Sequence, residues 1–205
     1  MALRQDLPHG ECDASLPGGY RISNVATSVR TRLLNVAKTQ GSDFNISGEL
    51  AKVQCKTQID IGFGDAVTPS PIDAVYPVLL SDLPAPRLRT YPVYTVVAEK
   101  LQAIVLLGMT DSRLKDYFDL SVLLEREALD IDLLARAIKA TFERRGMTVP
   151  TVLPIELTNE FAQDASRQSL WQTFLKKNEI ITEPLTAIVD RLSKAMEPAL
   201  NRATQ

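Results

Sequence analysis

Residues 49–63 alternate between side chains that are apolar or small and side chains that are polar, a period of two that is typical of a β-strand. The pattern predicts one long strand with a buried face and a solvated face. Asp60 falls on the solvated face, shortly before Gly62, where we expect the strand to loosen. The residues assigned to the buried face are Ala51, Val53, Cys55, Thr57, Ile59, Ile61 and Phe63.

Apolar residues recur at helical spacing on both sides of this strand. Before it, Val25, Val29 and Leu33 predict a helix over residues 24–39, which Gly41 would end. After residue 94 the pattern is helical throughout, and six helices are predicted. The first of them should end at Gly108, and the second should be capped by Asp111 or Ser112. The third should start at Asp130 or Asp132 and end at Gly146. The last three are expected over residues 159–164, 167–176 and 185–200, with Pro198 disturbing the final one.

Six prolines between residues 65 and 92 exclude a helix interior or a central strand there. We expect an extended connection with a short edge strand around residues 75–79. The change from a period of two to a helical period across this connection predicts an α+β fold. In it, a reduced sheet centred on residues 49–63 and covered by the 24–39 helix precedes an α-helical region.

The composition is that of an ordinary globular protein, with 45% hydrophobic and 23% charged residues among 205. A formal net charge of −2 gives no overall reason to expect nucleic-acid binding, which would need a local basic patch. The two cysteines are distant in sequence, and the place of Cys55 on the apolar face predicts a reduced core thiol.

Residues 1–19 contain glycines, prolines and acidic residues but no apolar run, so we predict a flexible tail and no signal peptide. No segment approaches the roughly 20 apolar residues that a membrane span requires. We therefore predict a cytoplasmic protein without membrane association. Its parts would be the tail, a truncated α/β part over residues 20–92 and a helical region over residues 93–205.

Residues at three places in the sequence could take part in catalysis or ligand binding. Asp60 stands at a strand end, Lys100 follows Glu99 beside the apolar stripe of a helix, and residues 115–119 place Lys115, Asp116 and Asp119 on one helical face. Carboxylates with lysines suit the binding of a metal ion and phosphates. The structural alternatives stay open at this point: a solvated aspartate, a solvated Glu99–Lys100 pair and an ion-pair cluster.

Three other features of the sequence resemble functional motifs but do not indicate a site. Asp130-Ile131-Asp132 is a pair of carboxylates, but it precedes an amphipathic helix, so helix capping explains it. His9 is the chain's one histidine, which argues against a zinc site. Gly62-Phe63-Gly64 is followed by neither a further glycine nor a helix start, so it is not a dinucleotide-binding loop.

Four segments together resemble the AbiEii/AbiGii toxin family of nucleotidyltransferases, and the resemblance covers most of residues 20–200. They are QIDIGFGDAVTP at residues 58–69, YPVLL at 76–80, VAEKLQA at 97–103 and SRLKDYFDL at 112–120. The resemblance implies a polymerase-β-type nucleotidyltransferase fold followed by a helical region. It also implies a toxin of a toxin–antitoxin or phage-defence system, with a cognate antitoxin as partner.

The family site implies roles for five residues of this chain. In the family, three acidic residues hold divalent metal and nucleotide phosphates, and a later lysine and aspartate complete the site. Asp60 matches the third carboxylate and would bind the metal, Lys100 matches the lysine, and Asp116 matches the later aspartate. Lys115 and Asp119 belong to the same motif and would help to bind the nucleotide. The implied cofactors are Mg²⁺ and a nucleoside triphosphate, and Asp60, Lys100 and Asp116 should converge on one concave surface.

One segment departs from the family. Between the equivalents of Asn45 and Gly48, members carry a glycine-rich turn and a strand with two aspartates one residue apart, which supply most of the metal coordination. Here residues 41–48 run directly into the next strand. A single carboxylate cannot clamp two metal ions around an in-line displacement. The departure predicts a degenerate, inactive relative.

Two other readings stay open. One is a non-catalytic protein that binds an antitoxin or RNA, and the other is activity restored by a second chain. The basic residues relevant to RNA would be Arg113, Lys115, Arg144 and Arg145.

Overall fold

The computed structural model of the chain describes residues 14–15, 21–22, 40–50, 53–78, 84–108 and 113–205. The chain divides into two compact units. The first comprises Met1–Asp65 and Ala74–Leu88, and the second comprises Ala66–Asp73 and Arg89–Gln205. The predicted helix over residues 24–39, Cys12 and the side chain of Cys55 lie outside the described part.

The first unit is built around one antiparallel hairpin. Strands β1 (Ala14–Ser15) and β2 (Arg21–Ile22) pair with each other, and β3 (Gln40–Leu50) pairs along its whole length with β4 (Val53–Phe63). The register runs from Gln40 opposite Phe63 to Leu50 opposite Val53.

The hairpin corrects two predictions. The single strand predicted over residues 49–63 is wrong, because residues 49 and 50 end β3 and only residues 53–63 form β4. Gly41, predicted to end a helix, lies in β3 opposite Gly62. A period of two continues unchanged through both arms of a hairpin, and Ala51-Lys52 carries none of the turn residues that would have marked the reversal.

A second small sheet lies within the proline-rich connection. Strand β5 (Ile72–Val75) pairs with β6 (Arg87–Thr90). The Thr90 hydroxyl donates to the Ile72 carbonyl at 3.2 Å. The edge strand expected around residues 75–79 therefore starts earlier, at Ile72, and β6 was not predicted. The prolines lie outside both strands, where a missing N–H costs no ladder hydrogen bond.

Six α-helices follow within the described residues, so the fold is α+β, as predicted. The helices are α1 (Val93–Leu107), α2 (Leu114–Arg126), α3 (Ile131–Arg144), α4 (Asn159–Gln163), α5 (Ala165–Asn178) and α6 (Leu185–Ala203), with a 3-10 turn at Ile155–Leu157 before α4.

The helix boundaries agree closely with the predicted signals. Gly108 closes α1 with φ of 57°, and Gly146 follows α3 with φ of 68°, a backbone region that glycine adopts without strain. Asp130 caps α3, since its carboxylate accepts from the Leu133 N–H at 2.8 Å. The N-cap position of α2 is Arg113, which corrects the predicted Asp111 or Ser112; these two residues lie outside the described part. Helix α6 contains Pro198 and continues to Ala203.

The apolar core of the second unit lies among α1, α2, α3 and α6 and extends to α4 and α5. Tyr117 of α2 stacks on Phe161 of α4 with ring centroids 5.2 Å apart, and Trp171 stacks on Phe174 at 5.5 Å. The largest fully buried side chains include Trp171, Tyr117, Phe142, Phe161, Leu101, Ile104, Leu120 and Ile138.

Ile188 of α6 offers a direct test of this core. Its side chain is 0% exposed, whereas Ile181, in the loop before α6, is fully exposed. We expect Ile188→Ala to lower the free energy of unfolding by about 2–5 kcal/mol, because a cavity remains where the side chain is removed. Ile181→Ala should change it by less than about 0.5 kcal/mol. Urea denaturation followed by circular dichroism measures both, and equal losses would contradict the assigned core.

Candidate functional site

Lys100 of α1 is shared by two aspartates of α2. Its Nζ donates to Asp116 Oδ1 at 2.8 Å and to Asp119 Oδ2 at 2.6 Å. Lys115 Nζ donates to the same Asp119 oxygen at 2.8 Å. We call these four residues the Lys100 cluster. It brings together four of the five residues that the sequence singled out.

The sequence of each helix explains why the cluster forms. In α2, Asp116 and Asp119 lie three residues apart and therefore share a face, and Lys115 reaches Asp119 across one turn. In α1, Lys100 precedes Leu101, which is 0% exposed and packs in the core. The packing of α1 on α2 thus places the Lys100 ammonium group next to the two carboxylates.

The cluster is largely covered from solvent. The side chains of Lys100, Asp116 and Asp119 are 20%, 15% and 23% exposed, whereas that of Lys115 is 70% exposed. Charges in such a position are stabilised mainly by each other, because water screens them less than at the surface. Lys115 is the member that solvent screens most.

The pKa directions follow from this pairing. Burial by itself lowers the pKa of Lys100, but the hydrogen bonds to Asp116 and Asp119 and their negative charges outweigh it, so the pKa is raised above 10.5. Burial by itself raises the pKa of Asp119, but the hydrogen bonds and charges of Lys100 and Lys115 outweigh it, so the pKa falls below 3.8. Both groups are therefore charged at neutral pH.

Glu99 has a partner that the sequence did not indicate. Arg145, at the end of α3, donates from Nη2 to Glu99 Oε2 at 2.8 Å. Glu99 and Lys100 therefore pair with different helices, and the reading of the two as a solvated pair is wrong. Consecutive helical residues point about 100° apart, which is why Glu99 and Lys100 meet different helices.

Asp60 lies in β4 of the first unit, and its side chain is outside the described part. Its roles in catalysis and metal binding, and its convergence with Lys100 and Asp116, stay predictions. The register places Asp43 of β3 directly opposite Asp60. Sequence reasoning missed Asp43, because its position across from Asp60 depends on the hairpin that the strand pattern did not reveal.

The basic residues named for RNA binding differ in their surroundings. Arg113, Lys115 and Arg144 are exposed, and Arg145 is partly buried beside Glu99. Lys115 and Arg145 are bonded to the carboxylates of Asp119 and Glu99. The set is thus partly neutralised by the protein itself.

The chain matches the family model described as nucleotidyl transferase AbiEii toxin, type IV toxin–antitoxin system, over residues 13–198. Because the match covers most of the chain, the protein belongs to this family. No curated protein sequence matches the chain. Among the described helices, none is long and apolar enough to cross a membrane.

Family membership implies an antitoxin partner, and the family generally uses a nucleoside triphosphate with a divalent metal ion. The described residues contain no group of three or more histidine, cysteine, aspartate or glutamate side chains placed to hold a metal. Asp116 and Asp119, the carboxylates that do converge, are both bonded to Lys100. This donor set does not fit a divalent metal ion.

Lys100→Met tests the energetics of the cluster. The change leaves two poorly hydrated carboxylates without their shared cation, so we expect the free energy of unfolding at pH 7 to fall by about 1–3 kcal/mol. Because the pKa of Asp119 is lowered in the folded protein, the wild-type advantage should be present above about pH 4 and fade as the pH falls further.

The matched control is Lys194→Met. Lys194 bonds Asp190 at 2.6 Å within α6, but the two side chains are 74% and 51% exposed, so the change should cost less than about 1 kcal/mol. Urea unfolding from pH 3 to pH 8 measures both variants. Equal costs for the two, or a Lys100→Met deficit unchanged at pH 3, would show that the cluster contributes no more than a surface pair.

Proposed function

We propose that this chain is a degenerate member of the AbiEii toxin family that has lost most or all nucleotidyl transfer and acts by binding its antitoxin. The observation that supports this most strongly concerns residues 40–50 and 53–63. They form the paired strands β3 and β4, and the sequence from residue 40 to residue 63 contains no pair of aspartates one residue apart.

The one Asp-x-Asp of the sequence is engaged elsewhere. Asp130 caps α3, and Asp132 bonds Arg202 of α6 at 2.8 Å. Asp130 thus stabilises the start of α3, and Asp132 joins α3 to α6. This supports the view that the paired aspartates of the family have no substitute in the helical unit.

The Lys100 cluster can persist without catalysis. Its two cations and two anions balance, and Lys100 joins α1 to α2 through a largely covered contact. Loss of any member would leave a charge without its counterpart. Stability alone is therefore a sufficient reason for a degenerate relative to keep this part of the family motif.

Antitoxin binding is the better-supported activity that remains. The second unit has an extensive apolar core, and protein recognition requires a folded unit of this kind rather than metal ligands. RNA binding receives less support, because Arg145 and Lys115 are bonded to Glu99 and Asp119 and the chain has a net charge of −2.

A transfer assay tests the loss of activity. The purified chain is incubated with Mg²⁺ or Mn²⁺, each α-³²P-labelled nucleoside triphosphate, and RNA or protein acceptors. Removing one preorganised electrostatic group costs on the order of 10²–10³ in rate, and two are missing here. We expect labelling indistinguishable from a reaction without protein.

Three variants make a positive result interpretable. Labelling above background that disappears in Asp60→Ala and Lys100→Ala would overturn the proposal and establish an active site. Asp43→Ala then identifies the source of the second carboxylate, because Asp43 lies opposite Asp60 in the hairpin. Labelling unchanged in all three variants would indicate a contaminating enzyme, and the proposal would stand.

A further inference from the structure

Met147 is a partly exposed methionine whose sulfur accepts a hydrogen bond from a buried amide. Gln102 of α1 is 4% exposed, and its Nε2 donates to Met147 Sδ at 2.8 Å. A thioether sulfur is a weak acceptor, whereas a buried amide donor is usually bonded to an oxygen. An oxygen atom on this sulfur would therefore give the amide a stronger acceptor.

The main chain fixes the position of Met147. The preceding residue, Gly146, ends α3 with φ of 68°, and the Met147 N–H donates to the Phe142 carbonyl at 2.9 Å. This bond closes the last turn of a helix. The Met147 side chain packs against the apolar core, in which Phe142 is 0% exposed. The sulfur is thus held by the end of a core helix.

A second polar contact joins the same two elements. Arg145, at the end of α3, bonds Glu99 of α1 at 2.8 Å. Glu99 and Gln102 are three residues apart and therefore share a face of α1. This face of α1 thus contacts the end of α3 through both Glu99 and Gln102. A chemical change at Met147 would act directly on the contact between α1 and α3.

The described part of the chain contains two methionines, Met147 and Met196. Met196 of α6 is 0% exposed, whereas Met147 is partly exposed. Oxidation converts a flexible apolar methionine into a polar side chain, and an oxidant in solution must first reach the sulfur. Of these two residues, Met147 is the one that offers its side chain to such an oxidant.

We propose that Met147 is a site of reversible oxidation by hydrogen peroxide, and that the Gln102 amide binds the oxygen of the resulting sulfoxide. A sulfoxide oxygen carries a partial negative charge and accepts a stronger hydrogen bond than a thioether. Methionine has three rotatable bonds, so the oxygen can turn towards the amide after it is added. The proposal is independent of nucleotidyl transfer.

The oxidation step balances without a further reactant. A lone pair of Met147 Sδ attacks one oxygen of hydrogen peroxide, and the O–O bond breaks. The proton of the transferred oxygen passes to the leaving oxygen, so the products are the sulfoxide and one water molecule. Sulfur loses two electrons, and the peroxide gains them. Methionine sulfoxide reductases reverse the change.

The first test measures which methionine reacts. The folded full-length protein is treated with hydrogen peroxide, the reaction is quenched with free methionine, and the digested peptides are analysed by mass spectrometry. We expect sulfoxide to form at Met147 at least about tenfold faster than at Met196, because burial protects the latter. In concentrated urea the two rates should be equal. Equal rates in the folded protein, or a faster reaction of Met196, would overturn the proposal.

The second test addresses Gln102 in the wild-type protein. We expect the proton shifts of the Gln102 side-chain amide to move downfield in ¹⁵N-correlated spectra when Met147 is oxidised, since its acceptor becomes an oxygen. Treatment with the two methionine sulfoxide reductases, one for each epimer, should restore the original shifts. Unchanged amide shifts on full oxidation would refute binding of the sulfoxide by Gln102, and a product that neither reductase repairs would refute reversibility.

The third test separates this role from a purely structural one. In Gln102→Leu, which lacks the donor, oxidation should lower the urea midpoint at least about twice as far as in the wild type, because the sulfoxide loses its hydrogen bond. Met147→Leu is the matched control, and it reports any effect of the other methionines. Equal losses in Gln102→Leu and the wild type, or a loss in Met147→Leu as large as that in the wild type, would contradict the proposal.

Discussion

Burial of α1 against α2 and α3 is the constraint on which the second unit depends. Val97, Ala98, Leu101 and Ile104 of α1 are all 0% exposed, so the rotation of this helix about its axis is set by the core. Glu99 and Lys100 lie between two of these buried positions. They emerge on opposite sides of the packed stripe, one beside the end of α3 and the other beside α2. The polar contacts of the helical unit thus follow from its apolar ones.

The Lys100 cluster shows how such a contact constrains chemistry. Lys100, which two carboxylates share, is held in its charged form because its pKa is raised, and Asp119 is held in its charged form because its pKa is lowered. A group fixed in one protonation state at neutral pH is poorly suited to exchange protons, but it is well suited to join two helices. These four residues can therefore be retained in a protein that has lost the activity associated with the family motif.

The helices were predictable, and so was much of the cluster. Helical period and capping residues located α1 and α3 closely, because both are local properties of the chain. The shared face of Asp116 and Asp119 follows from their spacing alone. The reversal between β3 and β4 was missed because an alternating pattern is the same in one long strand and in two paired ones. Arg145 was missed because its contact with Glu99 spans two helices.

By itself, the sequence determined the fold class, the limits of α1 and α3, the family, and the absence of paired aspartates from residues 40–63. These depend on residue types and on spacings within a few turns of chain. Only the tertiary structure decided which charges meet: Lys100 with two aspartates, and Glu99 with Arg145. The physical reason is that helix packing sets distances between residues far apart in sequence, and electrostatic energy depends on those distances.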